Sequence, residues 1–125
     1  MKQLFFLGLI LISWSCKNVK PVSASRFKGR LEIKGACMNY TIKVLEGAMD
    51  TTLIAKNWIN ETNGRSYSNV FALGSRCSFL PDIQEGQEFY FVLDNSTVQN
   101  CAVCMIYYPV PSKQLSIKVL PGAGK

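Results

Sequence analysis

The alternation of apolar and polar side chains begins at Phe27. Phe27, Gly29, Leu31 and Ile33 fall on one side of an extended chain and Lys28, Arg30, Glu32 and Lys34 on the other, the period-two pattern of a half-buried strand. After Gly35-Ala36-Cys37 it resumes, with Met38, Tyr40, Ile42 and Val44 set against Asn39, Thr41 and Lys43, which predicts a second strand hairpinned to the first. Segments 53–59 and 66–73 predict a third and a fourth strand, and the loop between them carries Asn63-Gly64, the strongest hairpin dipeptide. Turn chemistry at Pro81-Asp82-Ile83-Gln84-Glu85-Gly86 leads into a strand from Glu88 to Leu93. Segment 102–108 is apolar on both faces and predicts a central, well-covered strand. Pro109 and Pro111 interrupt before 114–120, where Leu115, Ile117 and Val119 again share a side.

No segment sustains helical periodicity, and Asp50 to Lys56 have room for a single turn. About seven short strands with regular turns predict an all-β fold, a small barrel of the OB-like kind with five to seven strands. An immunoglobulin-like β-sandwich is the second arrangement compatible with the pattern.

Ahead of this domain, Met1-Lys2-Gln3 precede an apolar run that ends at Ser13-Trp14-Ser15-Cys16, the layout of a secretory signal. A spanning helix needs roughly 20 apolar residues, and Lys17, Asn18 and Lys20 end the run before that. Ser15-Cys16 resembles the lipobox of bacterial lipoproteins in its Bacteroidota style, in which the cysteine thiol is acylated and becomes the new N-terminus. The usual Leu or Val three places before the cysteine is Ser13 here, and the small residue two before it is Trp14. The resemblance implies removal of residues 1–15, lipid on Cys16, a spacer over 16–26, one β domain over 27–120 and a flexible tail over 121–125. Several acyl chains together make a stable anchor, since each buried methylene contributes about 0.8 kcal/mol. Lys rather than Asp at position 17 implies delivery to the outer membrane, facing the periplasm.

Charge adds little to this. Of 14 Lys and Arg residues only Lys2 lies in the first fifteen positions, against 8 Asp and Glu that lie beyond them, so the mature 110 residues carry +5. The cations are scattered, no dense basic run suggests nucleic acid, and a monomer is expected. Lys17, Lys20 and Arg26 fall in the spacer, where each adds up to about 1 kcal/mol of attraction to an anionic leaflet.

Four cysteines remain after acylation of the first: Cys37, Cys77, Cys101 and Cys104. In an oxidising compartment an even set in a small domain reads as two disulfides. On a strand, residues 101 and 104 point to opposite faces, which favours bridges from these two to Cys37 and Cys77 without choosing between the two ways of making them. The stretches Gly35-Ala36-Cys37-Met38-Asn39-Tyr40 and Asn100-Cys101-Ala102-Val103-Cys104 resemble the start and end of small exported β-domain proteins with no known activity. The rival reading gives the four cysteines a thiol-redox or soft-metal role, with copper or zinc as the metal. Against it, no βαβ context surrounds the Cys-x-x-Cys, and Met38 and Met105 fit the apolar pattern.

The chain has no histidine, which removes Ser-His-Asp and Cys-His hydrolysis, histidine metal sites and imidazole proton shuttling together. Glu85, Glu88 and Asp94 fall in turn or strand-edge positions rather than in a catalytic pair. No enzyme, cofactor or metal site is expected. The expectation is a lipid-tethered module that binds a protein or glycan partner, with Trp58, set among Lys56, Asn57, Asn60 and Glu61, as the candidate contact residue.

Overall fold

The computed structural model describes residues 25–96 and 99–122. The signal segment, Cys16 and most of the expected spacer lie outside them, as do the last three residues of the tail. Among the described residues eight strands form: β1 (Phe27–Lys34), β2 (Tyr40–Glu46), β3 (Trp58–Ile59), β4 (Ser66–Tyr67), β5 (Val70–Leu73), β6 (Glu88–Leu93), β7 (Gln114–Leu115) and β8 (Ile117–Val119). β3 and β4 make a separate hairpin, and the other six make one sheet in the order β7-β5-β2-β1-β6-β8.

β7 and β8 occupy opposite edges of that sheet although Ser116 alone separates them. The sheet therefore curls until one bent strand serves both edges, parallel to β5 and antiparallel to β6. Ser75 closes the seam: buried, it donates its hydroxyl to the Ile117 carbonyl at 2.9 Å and accepts the Ile117 amide at 2.8 Å. With β7–β8 counted as one strand and the β3–β4 hairpin left out, five strands close a circuit in the order first, second, third, fifth, fourth and back to the first, a small barrel-like all-β fold of the expected size.

Alternation along β1 is as the sequence predicts, with Phe27, Gly29, Leu31 and Ile33 buried and the residues between them half-exposed. The core is aromatic: Phe27, Phe71, Phe79, Phe89 and Phe91 pack with Tyr40, with neighbouring ring centroids 5.5 to 6.0 Å apart. Each such side chain, fully buried, contributes about 1.5–3 kcal/mol. Arg26, read as spacer, belongs to the barrel surface, its guanidinium 3.8 Å from the centroid of the Tyr90 ring.

Three predicted strands differ: 53–59 is shortened, 66–73 is split into β4 and β5, and 102–108 does not form. Over 53–59 only Trp58–Ile59 is strand; Asp50 instead caps a turn by accepting the Thr52 amide at 2.9 Å, and Ala55 makes one bridge to Val70. Segment 102–108 is an irregular loop, with Met105, Ile106 and Tyr107 exposed. A short apolar run reads the same whether a sheet covers it or not, and here the prolines that follow it supply no amide donors for a ladder.

Candidate functional site

At one end of the barrel three connections meet: 35–39 between β1 and β2, 74–87 between β5 and β6, and 94–113 between β6 and β7. Cys37 bonds Cys104 and Cys77 bonds Cys101, with Cα atoms 5.3 and 5.5 Å apart. This resolves the pairing the sequence left open, and it joins each half of the Cys-x-x-Cys to a distant partner rather than to the other half. Both cross-links fasten the 94–113 loop to the shorter loops.

Asn39 reinforces them. It is buried, donates Nδ2 to the Ala36 carbonyl at 2.8 Å and to the Ile106 carbonyl at 3.5 Å, and accepts from Arg76 Nη2 at 3.0 Å. Just before it, Cys37 and Met38 both take left-handed backbone conformations, φ 58° and 59°, which cost a non-glycine residue about 1–2 kcal/mol. The Cys37 bridge and the Asn39 bonds hold that turn. Tyr108 lies against it: a Cβ at Gly35 would meet the Tyr108 ring at 2.5 Å and the Asn39 carbonyl at 2.3 Å.

The fastened loop presents an apolar tip. Met105 is 98 % exposed, Tyr107 80 % and Ile106 61 %. Tyr107 donates its hydroxyl to the Glu61 carboxylate on the β3–β4 hairpin, and that bond, with the carboxylate's charge, pushes the Tyr107 phenol above its ordinary range. The same hairpin exposes Ile59. Trp58, the expected contact residue, is half-buried with its ring 5.5 Å from Tyr67, so the exposed apolar side chain on this hairpin is its neighbour.

Between the β3–β4 hairpin and the barrel lies a polar cleft of about 280 Å³, lined by residues that include Glu32, Asn60, Arg65, Tyr67, Glu85 and Tyr108. Glu85, read from sequence as a turn residue, accepts the Lys34 amide at 2.9 Å. Among the described residues no group of three or more Cys, Asp or Glu is placed to hold a metal ion. A hollow of about 310 Å³ beside Phe27, Met49, Leu53 and Leu93 is mainly apolar.

The sequence does not single out Asn60, Arg65 or Tyr108 as site residues, while Tyr107 is one of the aromatics that could form a stacking platform for glycan. Asn60-Glu61-Thr62 held one clue, since an Asn two residues before a backbone amide fixes an Asx turn, and the bond from Thr62 N to Asn60 Oδ1 is that turn, at 2.9 Å. Set against protein-family models, curated proteins and solved structures, the chain matches none.

Proposed function

We propose that this chain is a lipid-tethered, non-enzymatic binding module of the bacterial cell envelope. Cys16 holds it on the outer membrane, facing the periplasm, and the loop end of the barrel engages a protein or glycan partner. The observation that carries the reading is the 94–113 loop, cross-linked at Cys101 and Cys104, with Met105, Ile106 and Tyr107 bare at its tip. Apolar side chains grouped in water mark a contact surface, and a loop ordered in advance loses less entropy on binding. Four oxidised cysteines fit an exported protein. For the rival reading, soft-metal ligation needs free thiolates, and a Cys-x-x-Cys redox pair needs a bond between Cys101 and Cys104, whereas each of these is bonded to a distant cysteine.

Two variants test the halves of this reading. Cys16→Ser should move the protein from the membrane to the soluble fraction; unchanged fractionation contradicts the tether. That soluble form should co-sediment with isolated cell envelopes, and adding Met105→Ser with Ile106→Ser should reduce sedimentation several-fold without lowering the melting temperature. Equal sedimentation of the two forms contradicts the role of the tip.

A further inference from the structure

The cleft between the hairpin and the barrel carries polar chemistry of a specific kind, centred on Asn60. This residue is 3 % exposed. Its amide donates to the Arg65 carbonyl at 2.9 Å, its carbonyl accepts from Gly64 at 2.8 Å, and its Oδ1 accepts from Thr62. The side-chain plane is thereby fixed, and Nδ2 is left with no partner among the described residues. Nor is Nδ2 sealed away: Thr41 Oγ1 is the one side-chain polar atom, among the described residues, both buried and unpartnered. Nδ2 therefore keeps some contact with solvent, and Asn60 is one of the residues that line the cleft.

Around that donor stand acceptors with capacity to spare. Glu32 gives Oε1 to Arg30 Nε at 2.7 Å and keeps Oε2; Glu85 gives Oε2 to the Lys34 amide and keeps Oε1. Asn63 donates to the Tyr67 hydroxyl at 3.1 Å, which fixes that ring on one wall, and Tyr108 forms part of another. Arg65 has no ion-pair partner among the described residues. Of the two carboxylates, Glu32 is paired with Arg30.

These features select a ligand class. A phosphate or nucleic acid would bring negative charge to two carboxylates. An apolar peptide would bury the Asn60 donor and the free carboxylate oxygens unpaired, at about 1–3 kcal/mol for each neutral group and more for the charged ones. A molecule whose hydroxyls each donate and accept, and whose C–H face lies against tyrosine, satisfies all of them. We infer that this cleft binds a neutral saccharide, with Asn60 Nδ2 and Arg65 donating to ring hydroxyls or the ring oxygen, Glu32 and Glu85 accepting, and Tyr67 and Tyr108 as walls. At about 280 Å³ the cleft is just under the usual range of ligand pockets, which starts at about 300 Å³, so it takes one sugar residue or the end of a chain. The inference rests on the binding-module reading and names its ligand.

The test uses the detergent-solubilised full chain in calorimetric titrations. The probes are glucose, galactose, mannose, N-acetylglucosamine, maltose, cellobiose, lactose and chitobiose, with inorganic phosphate and a sulfated heparin disaccharide as anionic controls. Saturable binding of at least one neutral sugar is expected. Arg65→Gln changes an exposed side chain and should weaken binding about tenfold or more at an unchanged melting temperature; Asn60→Asp keeps the acceptor for Thr62 and removes the donor, and should weaken binding about tenfold or more while the charge it buries lowers the melting temperature. No neutral sugar binding to the folded protein, binding unaltered in Arg65→Gln, or binding of the anionic probes alone overturns the inference. Membrane fractionation and envelope sedimentation are read separately, so failure here leaves the tether and the tip standing, and their failure leaves the cleft.

Discussion

The hydroxyl of Tyr107 donates to the carboxylate of Glu61, joining the tip of the 94–113 loop to the β3–β4 hairpin across 46 residues of sequence. The bond and the neighbouring negative charge favour the neutral phenol, so Tyr107 ionises above its usual value of about 10. A group whose folded value is raised contributes fully below its unfolded value, and that contribution is lost as pH rises through the folded one. One late-titrating tyrosine is therefore expected in an absorbance titration at alkaline pH, with Glu61→Gln returning it towards the ordinary range. A titration in which Glu61→Gln changes nothing would show that the two side chains do not meet.

Thr41 carries a buried hydroxyl with no hydrogen-bond partner. Replacing it by a methyl group of similar shape removes an unmet desolvation cost. Thr41→Val should therefore raise stability in urea unfolding by about 1 kcal/mol, whereas an ordinary satisfied threonine would be destabilised by the same change.

Gly35 has no space for a side chain because the Asn39 carbonyl and the Tyr108 ring crowd it. A backbone atom on one side and a packed ring on the other leave little to yield. Gly35→Ala is expected to lower stability by about 1–3 kcal/mol, the usual range for overpacking, and to loosen the cleft wall that Tyr108 forms. Denaturant melts together with sugar titrations check both effects.

How far this site was legible in the sequence depends on what kept each residue in place. β1 was readable to the residue because a half-buried strand alternates, and β6 because the turn chemistry over 81–86 leads into it and Asp94-Asn95-Ser96 closes it. β2 begins at Tyr40 rather than Met38 because Cys37 and Met38 turn left-handed under the hold of a bridge to Cys104, a partner 67 residues away that local pattern cannot see. Segment 102–108 misled for the opposite reason: Met105, Ile106 and Tyr107 have the composition of a covered strand and the exposure of a contact tip. The cleft was invisible because Glu32, Asn60, Glu85 and Tyr108 come from four separate stretches that only the closed barrel brings together.

At the acid end, Asp50 is lowered by the Thr52 backbone amide first and its hydroxyl second, and Asp94 by the Ser96 hydroxyl first and its amide second. Lowered values mean a contribution present above the ordinary carboxylate range and lost as pH falls through the folded values. Both groups face water, so the effect is small. Asp50→Asn with Asp94→Asn keeps the turn acceptors and should flatten the acid limb of a plot of melting temperature against pH; an unaltered limb would contradict these caps.

Two cross-links, at Cys101 and Cys104, hold the loop between β6 and β7 against the barrel as a ready-made binding end. By the chain-entropy relation the Cys37–Cys104 closure, 67 residues apart, contributes about 4 kcal/mol and the Cys77–Cys101 closure, 24 apart, about 3 kcal/mol. Peptide mapping of the native protein under non-reducing conditions tests this directly. The predicted result is peptides linked 37 to 104 and 77 to 101 with no free thiol among the four; free thiols, or a peptide closed between Cys101 and Cys104, would contradict it.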